Sequence, residues 1–460
     1  MKSDKRTKVR QIAFGDMAAL VRETINPEDA EGLPYIGLEH IQEGELHLKG
    51  VGKAEDTIST KFKFCKGDIL FGKLRPYFRK VIIAPFDGVC STDIWVVRAK
   101  SGFDQKFLFY CMASQAFVKF ASQGSEGTRM PRAKWEHVSR FCLPFFTLPE
   151  QKAIAHILGT LDDKIELNRR MNETLEEMAK AIFKSWFVDF DPVIDNALKA
   201  GNPIPDALAE KAARRRAILE KLEKEDSNLP KLSPEIARLF PDSFEDSPLG
   251  PIPRGWRVKR VSDLGKVVCG KTPPTKDKTN YGKEVPFITI PDMHGKVFVV
   301  QTTKYLSKKG ADLQSNKYLP PYSICVSCIA TPGLVVMTSE ISQTNQQINS
   351  VIPYKEISPF FAFLTLKILG KEIMQIGSGG SVFTNLSKSR FKNLNILMPT
   401  NNLIEIFHKH IASLFLSILN NEKEILNLAN IRDTLLPKLI SGQIRIKDAE
   451  KFVGKFCELN

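Results

Sequence analysis

LPYIGLEHI at residues 33–41 returns as VPFITIPDM at residues 285–293, and this repetition decides the fold. A second phrase, GSEGTRMPRAKW from residue 124, returns as GSGGSVFTNLSKSRF from residue 377. Both pairs are offset by about 250 residues, whereas the units of solenoid proteins repeat after roughly 20–50 residues. A long segment with helical periodicity follows each copy. The repeat unit is therefore a whole domain plus a helix, and a protein built twice can recognise two things.

Short β-rich runs separated by turn residues predict two similar mixed domains of the α/β (α+β) class. In the first, GDILFG, KVIIAPF and STDIWVV are such runs, and we place this domain at residues 1–148. In the second, VPFITI, KVFVV, SICVSCI and INSVIP play the same part, and we place it at residues 256–400. The sequence thus predicts an internal repeat with pseudo-twofold character.

Two long segments show apolar residues at alternating spacings of three and four, which predicts helices over residues 149–187 and about 402–440. Together with the residues that follow each helix, we place the two spacer segments at residues 149–193 and 401–460. A helix of about 38 residues spans about 57 Å, far longer than one small domain needs. Asn168 and Asn172 interrupt the first apolar seam, and Asn421 and Arg432 interrupt the second. Polar seam residues cost stability but fix the register of paired helices. We therefore predict an antiparallel coiled coil of these two helices, although each stripe could instead be the core face of its own domain.

The residues predicted to form the helix-pair or partner seam are apolar on both helices. On the first helix they are Ile154, Leu158, Leu161, Ile165, Leu175 and Ile182. On the second they are Ile411, Ile418, Ile425, Leu428 and Leu435.

Residues 194–255 combine Pro and Gly punctuation with charge runs, which is typical of a linker that carries one charged helix. The ARRR cluster at residues 213–216 could contact nucleic acid. On so polar a helix, a solvated face is the favoured interpretation.

The charge balance favours polyanionic partners. Lys and Arg number 66 against 52 Asp and Glu, which gives a net charge of +14 over 460 residues. A merely basic protein without such a partner remains an alternative. The N-terminal MKSDKRTKVR is not followed by the apolar run of a signal peptide, and the apolar run at residues 360–369 is about half of a membrane span. We expect a cytoplasmic protein without a membrane partner.

Metal binding is not predicted from the eight cysteines. Cys325 and Cys328 form a CxxC pair, but no second pair or histidine cluster completes a zinc site. We interpret the cysteines as reduced thiols of the core.

Two motifs resemble those of enzymes, but residues within or beside each motif do not fit the chemistry that it requires. GKVVCGKT at residues 265–272 matches the phosphate-binding loop, but Pro273 and Pro274 block the helix that must follow it. LPPY at residues 319–322 resembles an amino-methyltransferase signature, but Leu319 lacks the oxygen that would accept a hydrogen bond from the target amine. The sequence predicts neither a catalytic residue nor a metal site.

Loops rich in basic and amide residues occur in both copies and are the candidate DNA-binding elements. Arg and Lys suit phosphates and guanine edges, whereas Asn and Gln suit adenine. The candidates in the first copy are Lys73, Arg75, Tyr77, Arg79, Arg129, Arg132 and Lys134. Those in the second copy are Gln346, Gln347, Asn385, Lys388 and Arg390. The different chemistry of the two sets suggests two different half-sites.

Several phrases together resemble the specificity subunits of type I restriction-modification systems. The likeness covers nearly the whole chain. Its motifs are YIGLEHI, GVCSTDI, GTRMPRAKW, the helix LPEQKAIAHILGTLDDKIELNRRMNETLEEMAKAIFKSWFVDFDPV, LFPDSFEDSPLGPIPRGW, NQQIN and RDTLLPKLISGQI. One departure is that TNNLIEIFHKH, at the start of the second helix, lacks the EQ pair that follows Pro149.

This resemblance implies two target recognition domains that read a bipartite, asymmetric site in double-stranded DNA. The two conserved spacer helices would form the antiparallel pair and dock two methyltransferase subunits. No catalytic site and no cofactor is expected in this chain. S-adenosylmethionine would belong to the methyltransferase subunits, and ATP and Mg would belong to the restriction subunits.

Three alternatives remain beside this interpretation. A coiled-coil assembly protein would bind DNA without sequence preference, through phosphates alone. An NTPase would depend on Lys271. A third possibility is that the subunit serves a system that methylates DNA but does not cleave it.

Overall fold

The computed structural model describes residues 10–127, 129–224, 232–329, 331–378 and 386–449. The chain divides into two compact units. The first combines residues 1–167 with residues 427–460, and the second comprises residues 168–426. The first unit is therefore discontinuous in sequence, because it needs the end of the chain as well as the beginning.

The first unit contains a four-stranded sheet, a five-stranded sheet and a two-stranded ribbon. Its strands are β1 (Gln11–Ala13), β2 (Ala18–Val21), β3 (Thr24–Ile25), β4 (Pro34–Ile36), β5 (Gly52–Lys53), β6 (Lys61–Phe64), β7 (Ile69–Gly72), β8 (Val81–Ile83), β9 (Gly88–Cys90), β10 (Ile94–Ala99) and β11 (Cys142–Pro144). The sheets have the orders β2-β10-β7-β8 and β3-β6-β9-β4-β5, and β1 pairs with β11. Helices α1 (Phe14–Met17), α2 (Gln105–Ala113), α3 (Gln115–Gln123) and α4 (Trp135–Val138) complete the domain.

The second unit begins within the long helix α5 (Leu148–Phe187) and ends within the long helix α12 (Asn401–Ile440). The helices between them are α6 (Asp191–Ala200), α7 (Ala209–Lys224), α8 (Pro234–Ala237), α9 (Lys308–Asp312), α10 (Pro359–Ser378) and α11 (Lys388–Lys392). The strands are β12 (Phe244–Glu245), β13 (Ile252–Pro253), β14 (Arg257–Arg260), β15 (Gly265–Cys269), β16 (Tyr281–Ile288), β17 (Phe298–Val299), β18 (Tyr305–Leu306), β19 (Ile324–Ser327), β20 (Val335–Thr338), β21 (Gln343–Thr344), β22 (Ile348–Pro353) and β23 (Asn395–Met398).

The repeated phrases of the sequence form equivalent strands in the two units. LPYIG contains β4, where Tyr35 pairs in parallel with Val89 of β9. VPFIT contains part of β16, where Phe287 pairs in parallel with Gln343 of β21. The sheet order β2-β10-β7-β8 recurs as β15-β22-β19-β20, and the ribbon β1–β11 recurs as β14–β23. The predicted internal repeat of a mixed domain is confirmed.

Helix α5 runs without interruption for 40 residues, as does α12, close to the bounds that the periodicity predicts. A left-handed residue, Phe190, separates the end of α5 from α6, so the proposed boundary at residue 193 lies inside α6. At the start of α5, Glu150 accepts the amide N–H of Thr147 at 2.8 Å. Gln151 is 1% exposed and donates to the Phe146 carbonyl at 2.8 Å. The EQ pair thus caps and anchors the first helix.

In the second unit the two long helices pack against each other through aromatic and amide contacts. The Phe407 ring lies 5.8 Å from that of Phe183 and 4.9 Å from that of Phe187. Further along the pair, Asn421 donates to the Asn172 side chain at 2.8 Å. Rising residue numbers on α5 thus meet falling numbers on α12, so the helices are antiparallel, as predicted.

In the first unit the same two helices enclose an ion pair. Arg432 of α12 donates to Asp162 of α5 at 2.7 Å, and the Tyr110 hydroxyl donates to the other oxygen of Asp162 at 2.6 Å. The Arg432 side chain is 7% exposed. Around this pair lies an apolar core with contributions from both helices, among them Leu158, Leu161, Leu435 and Leu439. The helices therefore pair with each other and also complete the core of the domain.

The basic cluster at residues 213–216 is only partly solvated. Arg215 donates to Asp195 at 2.8 Å, and their side chains are 19% and 16% exposed. The expectation of a fully solvated helix face is therefore wrong for Arg215, because α6 brings a carboxylate beside it. Arg214 keeps 59% of its side chain exposed.

The cysteines in the described ranges are free thiols. Four are buried, as predicted: Cys90, Cys111, Cys325 and Cys328. The core prediction is wrong for Cys65 and Cys142, which are exposed. Cys65 lies just after β6, outside regular structure, and Cys142 lies on the two-stranded ribbon next to Leu143, which takes the buried face of that strand. Cys457 lies outside the described residues.

By length and composition alone, α12 could cross a membrane. Its apolar face is occupied in this structure, however, because Ile411, Phe415 and Ile418 are fully buried. A core helix of a soluble protein meets the same criteria, so we assign no membrane span to it.

Glu422 joins α12 to the edge of a sheet in the second unit. Its carboxylate accepts the amide N–H groups of Val297 and Phe298, each at 3.1 Å. Part of the side chain remains accessible to solvent, but the carboxylate lies in the interior, and this burial raises the pKa of Glu422 to about 7. The two amide N–H groups oppose this rise.

Because the folded-state pKa of Glu422 lies above its ordinary value of 4.5, its contribution to stability is complete below pH 4.5 and is lost as the pH rises through 7. Between pH 5.5 and pH 8 we expect a loss of about 2 kcal/mol. Glu422→Gln keeps a carbonyl oxygen for the two amides and removes the charge. Urea unfolding at pH 5.5 and pH 8 should therefore show a smaller loss of stability for this variant than for the wild type.

Glu405→Gln is the matched control, because Glu405 lies on the same helix and pairs with Lys409 at the surface. Its pKa is lowered by that lysine, so it does not titrate between pH 5.5 and pH 8. Equal pH dependence of the wild type and Glu422→Gln would contradict the assignment.

A second test concerns neighbouring aspartates of α5. Asp162→Ala removes the partner of buried Arg432, and we expect a loss of about 3 kcal/mol in the free energy of unfolding. Asp163→Ala removes only an exposed pair with Lys106 at 3.3 Å and should cost less than about 1 kcal/mol. Urea denaturation measures both values. Similar losses for the two variants would show that the buried Asp162–Arg432 pair contributes no more to stability than the exposed pair.

Candidate nucleic-acid interface

In the first domain, two predicted loops lie side by side. We call residues 73–80 and 124–134, residue 128 aside, the first-domain loops. Arg75 donates its amide N–H to the Pro131 carbonyl at 2.8 Å, and Ala133 donates to the Lys73 carbonyl at 2.9 Å. These backbone bonds hold the loops together, although the bonded residues are more than 50 positions apart in the chain. The structure thus brings most of the first predicted set onto one surface.

The turn at residues 75–79 has an unusual backbone. Arg75 and Arg79 both adopt left-handed conformations, with φ of 50° and 49°, on either side of a short turn at Pro76–Phe78. Non-glycine residues rarely occupy this region, and they cluster at binding sites. The turn leaves Tyr77 53% exposed, and the Arg75 guanidinium donates to the Arg129 carbonyl at 3.4 Å. An aromatic ring and a guanidinium are thus presented together.

Two of the predicted cations already have carboxylate partners. Arg132 donates to Asp93 at 2.8 Å, and Lys134 lies 2.5 Å from Glu126. Both cations are about half exposed. Surface pairs of this kind have little net stability, so a DNA phosphate can compete for the cation. The pairs orient the side chains without preventing a phosphate contact.

Arg79 is not presented to solvent, and the prediction is wrong on this point. It is only 8% exposed. Its guanidinium donates to the Gly44 carbonyl and lies 3.6 Å from Asp433 of α12. The left-handed backbone turns this side chain inward, away from the loop surface. Arg79 therefore anchors the turn rather than facing a ligand.

In the second domain, the predicted glutamines follow β21. Gln346 is exposed and Gln347 is half-buried. The Thr272 hydroxyl donates to the Gln346 side-chain oxygen at 2.5 Å, and Asn345 donates to that of Gln347 at 3.0 Å. Both amides are thus held by neighbours from the protein itself.

The other predicted residues of the second domain lie on a separate segment. Lys388 and Arg390 are exposed on α11, whose first turn is capped by Ser387. Asn385 lies outside the described residues. A helix start with two exposed cations is suited to phosphate contacts.

Sequence reasoning missed the loop at residues 270–280, which lies beside Gln346. It had drawn attention only as a misleading phosphate-loop match. In the structure no helix begins at Thr272, and the chain reaches a short 3-10 turn only at Lys278–Asn280. This backbone differs from a phosphate-binding loop, in which a helix N-terminus holds the phosphates. Its lysines and threonines were a usable signal, but only the fold shows that they adjoin the glutamines.

The predicted seam residues divide by burial. Those fully or almost fully buried are Ile154, Leu158, Leu161, Ile165, Ile411, Ile418 and Leu435. Those partly buried are Leu175, Ile182, Ile425 and Leu428. Exposed apolar residues on the same helices are Leu167, Met171, Met178 and Leu416.

The chemistry of these surfaces is that of recognition. Within the described ranges, no three His, Cys, Asp or Glu residues are grouped closely enough to hold a metal ion. The side chains that converge are cations, amides, hydroxyls and an aromatic ring. Such groups contact phosphates and base edges.

The sequence matches a family model at both repeats. The model describes the type I restriction modification DNA specificity domain and matches residues 14–177 and 253–430. The type I restriction enzyme HindI specificity subunit of Haemophilus influenzae is 42% identical over 400 residues, with coverage of 82% of this chain and 87% of that protein. The MjaIX specificity subunit of Methanocaldococcus jannaschii is 24% identical over 457 residues, with coverage of 96% and 90%.

Solved structures of similar proteins match along nearly the whole chain. The type I restriction-modification S subunit of M. genitalium gives a TM-score of 0.49 at 15% identity, with coverage of 96% of this chain and 98% of that one. The HsdS subunit of Thermoanaerobacter tengcongensis gives 0.34 at 16% identity, with coverage of 95% and 97%.

The family model matches each of the two repeated domains, and the HindI relative exceeds 40% identity over most of the chain. The chain therefore belongs to the family of type I restriction-modification specificity subunits.

Proposed function

We propose that this chain reads a bipartite, asymmetric site in double-stranded DNA, one half with each domain, and directs adenine methylation and cleavage by partner subunits. The proposal rests on one observation: the same strand topology occurs in both domains, whereas the side chains of their loops differ. The first-domain loops present guanidinium and ammonium groups, and the second domain presents two held amides. Two similar frames with different side chains suit an asymmetric site.

The chain itself is not an enzyme in this proposal. Its expected partners are DNA, two methyltransferase (M) subunits and restriction (R) subunits. S-adenosylmethionine would be bound by the M subunits, and ATP and Mg would be bound by the R subunits. Family membership and the recognition-type chemistry of the loops support this division of labour. The site of action would be the cytoplasm.

Phosphate contacts would position the first domain, and base contacts would select its half-site. Lys73, Arg129, Arg132 and Lys134 are candidates for either kind of contact. Arg75 is the strongest candidate for a base contact, because its carbonyl partner and the strained turn limit its freedom. A guanidinium held in this way can donate two parallel hydrogen bonds to guanine.

We further infer that the helix pair sets the number of unread base pairs between the half-sites. Major-groove stretches that two linked modules read are about 34–36 Å apart, or multiples of that distance. Paired 40-residue helices are long and stiff enough to act as a ruler. Their buried polar contacts, Asn172 with Asn421 and Asp162 with Arg432, would fix the register.

The decisive experiment is a genome-wide map of N6-methyladenine in the host with and without this gene. We expect that deletion removes one bipartite, asymmetric motif and leaves other motifs unchanged. An unchanged map, with the partner methyltransferase expressed and active, would contradict the proposal and favour a coiled-coil assembly role. Sites that are methylated but not restricted would indicate a system without cleavage.

The ruler inference is tested by inserting one heptad. An insertion in α5 alone should change the unread gap or abolish methylation, because it breaks the register with α12. Matched insertions in both helices lengthen the pair by about 10 Å and should widen the gap by about three base pairs. Each half-sequence should remain unchanged in the methylation map. Full activity with an unaltered gap after the single insertion would refute the ruler.

A further inference from the structure

The loop that resembles a phosphate-binding motif is built against the strand region that carries the two glutamines. Gly270 donates its amide N–H to the Ile348 carbonyl at 3.0 Å, and Lys271 donates to the Thr344 carbonyl at 2.9 Å. A side chain at residue 270 would begin 2.0 Å from the Asn345 carbonyl oxygen, so only glycine permits this approach. The approach brings Thr272 to Gln346.

The rest of the loop is held in place by side chains from its surroundings. The Tyr281 hydroxyl donates to the Pro273 carbonyl at 3.2 Å, and the Asn280 amide donates to the Pro274 carbonyl at 3.1 Å. Gln314, which is 5% exposed, donates to the Lys271 carbonyl at 2.8 Å. Two prolines and three carbonyl bonds leave the loop little freedom. Thr272 is therefore supported on both sides.

Each glutamine has its side-chain oxygen engaged by a donor from the protein. The Thr272 hydroxyl donates to Gln346 at 2.5 Å. The Asn345 amide donates to Gln347 at 3.0 Å, and the Gln347 backbone N–H donates back to Asn345 at 3.1 Å. The two side-chain NH₂ groups are left as donors for a ligand. Adjacent residues thus present the same hydrogen-bond polarity.

We propose that Thr272 is a specificity-determining positioning residue, which with Asn345 fixes Gln346 and Gln347 as donors so that the second domain reads the N7 and O6 acceptors of guanine. This inference rests on the proposed function. Recognition of adenine by an amide needs the oxygen as an acceptor and the nitrogen as a donor at the same time. Here each glutamine oxygen already accepts one hydrogen bond and is directed at its protein donor, and the major-groove edge of guanine offers two acceptors to the NH₂ groups. The exposed Lys271 adds a positive charge on the same loop.

Thr272→Val tests the orientation of the Gln346 amide without changing the packing of residue 272, because valine keeps the volume of threonine and loses its hydroxyl. The Gln346 oxygen is then released and can accept from adenine N6. We expect the guanine position to accept adenine, with methylation of the adenine-containing sites raised about tenfold or more. Thr272→Ser restores a hydroxyl and should restore the guanine preference. Gln346→Ala should relax the position to any base.

The test expresses the full chain with its methyltransferase partner in a host without N6-adenine methylation, and sequencing reads the methylated motif. Gln115→Ala is the matched control, because Gln115 is an exposed glutamine on α3 of the first domain. It should leave the second half-site unchanged. The first half-site serves as an internal control in the Thr272 and Gln346 variants, since neither residue belongs to the first domain.

The inference is overturned if the wild-type second half-site contains no G·C pair, or if Thr272→Val and Gln346→Ala keep the wild-type motif. Loss of methylation in Thr272→Val with no change of motif in Gln346→Ala would also overturn it, since the role of Thr272 would then be structural. Absence of any bipartite motif with the wild-type chain and an active methyltransferase would instead refute the proposed function. The two failures are therefore distinguishable.

Discussion

The mutual burial of two 40-residue helices is the constraint on which the rest of the structure depends. Each helix has an apolar face too long for one small domain to cover, so each must find a partner along its length. Aromatic contacts around Phe407 and the buried Asp162–Arg432 pair supply that partner in the two units. Because the contacts are partly polar, only one alignment satisfies them. Within each unit, the two helices therefore pair in a single register.

The large-scale organisation was predictable because it depends on local patterns that repeat. Two copies of a strand phrase, and apolar residues at helical spacing, indicate the duplicated domain and the paired helices without reference to distant contacts. The helix bounds agree within one or two residues. Even the polar interruptions at Asn172 and Asn421, visible as breaks in the pattern, meet each other in the structure.

For the candidate site, the sequence predicted which loops carry basic and amide side chains, but not which partners those side chains contact. The basic loops of the first domain do converge, but Arg79 turns inward toward Asp433, a residue more than 350 positions away. Thr272 meets Gln346 across 74 positions in the sequence, and no local pattern marks that contact. Arg215 finds Asp195 on a neighbouring helix. Such pairings arise from tertiary packing, and periodicity and composition carry no information about them.

The discontinuous first unit has a consequence for biosynthesis. Its core includes Leu435 and Leu439, which the ribosome adds more than 330 residues after Val97, the last buried residue that the four-stranded sheet contributes to this core. At typical elongation rates this is a delay on the order of tens of seconds. During that time the nascent first domain carries an uncovered apolar face, while the second domain is still being made. The first unit begins to be translated before the second, but its core can be completed only after Leu435 and Leu439 have been made, later than the last residue of the second unit.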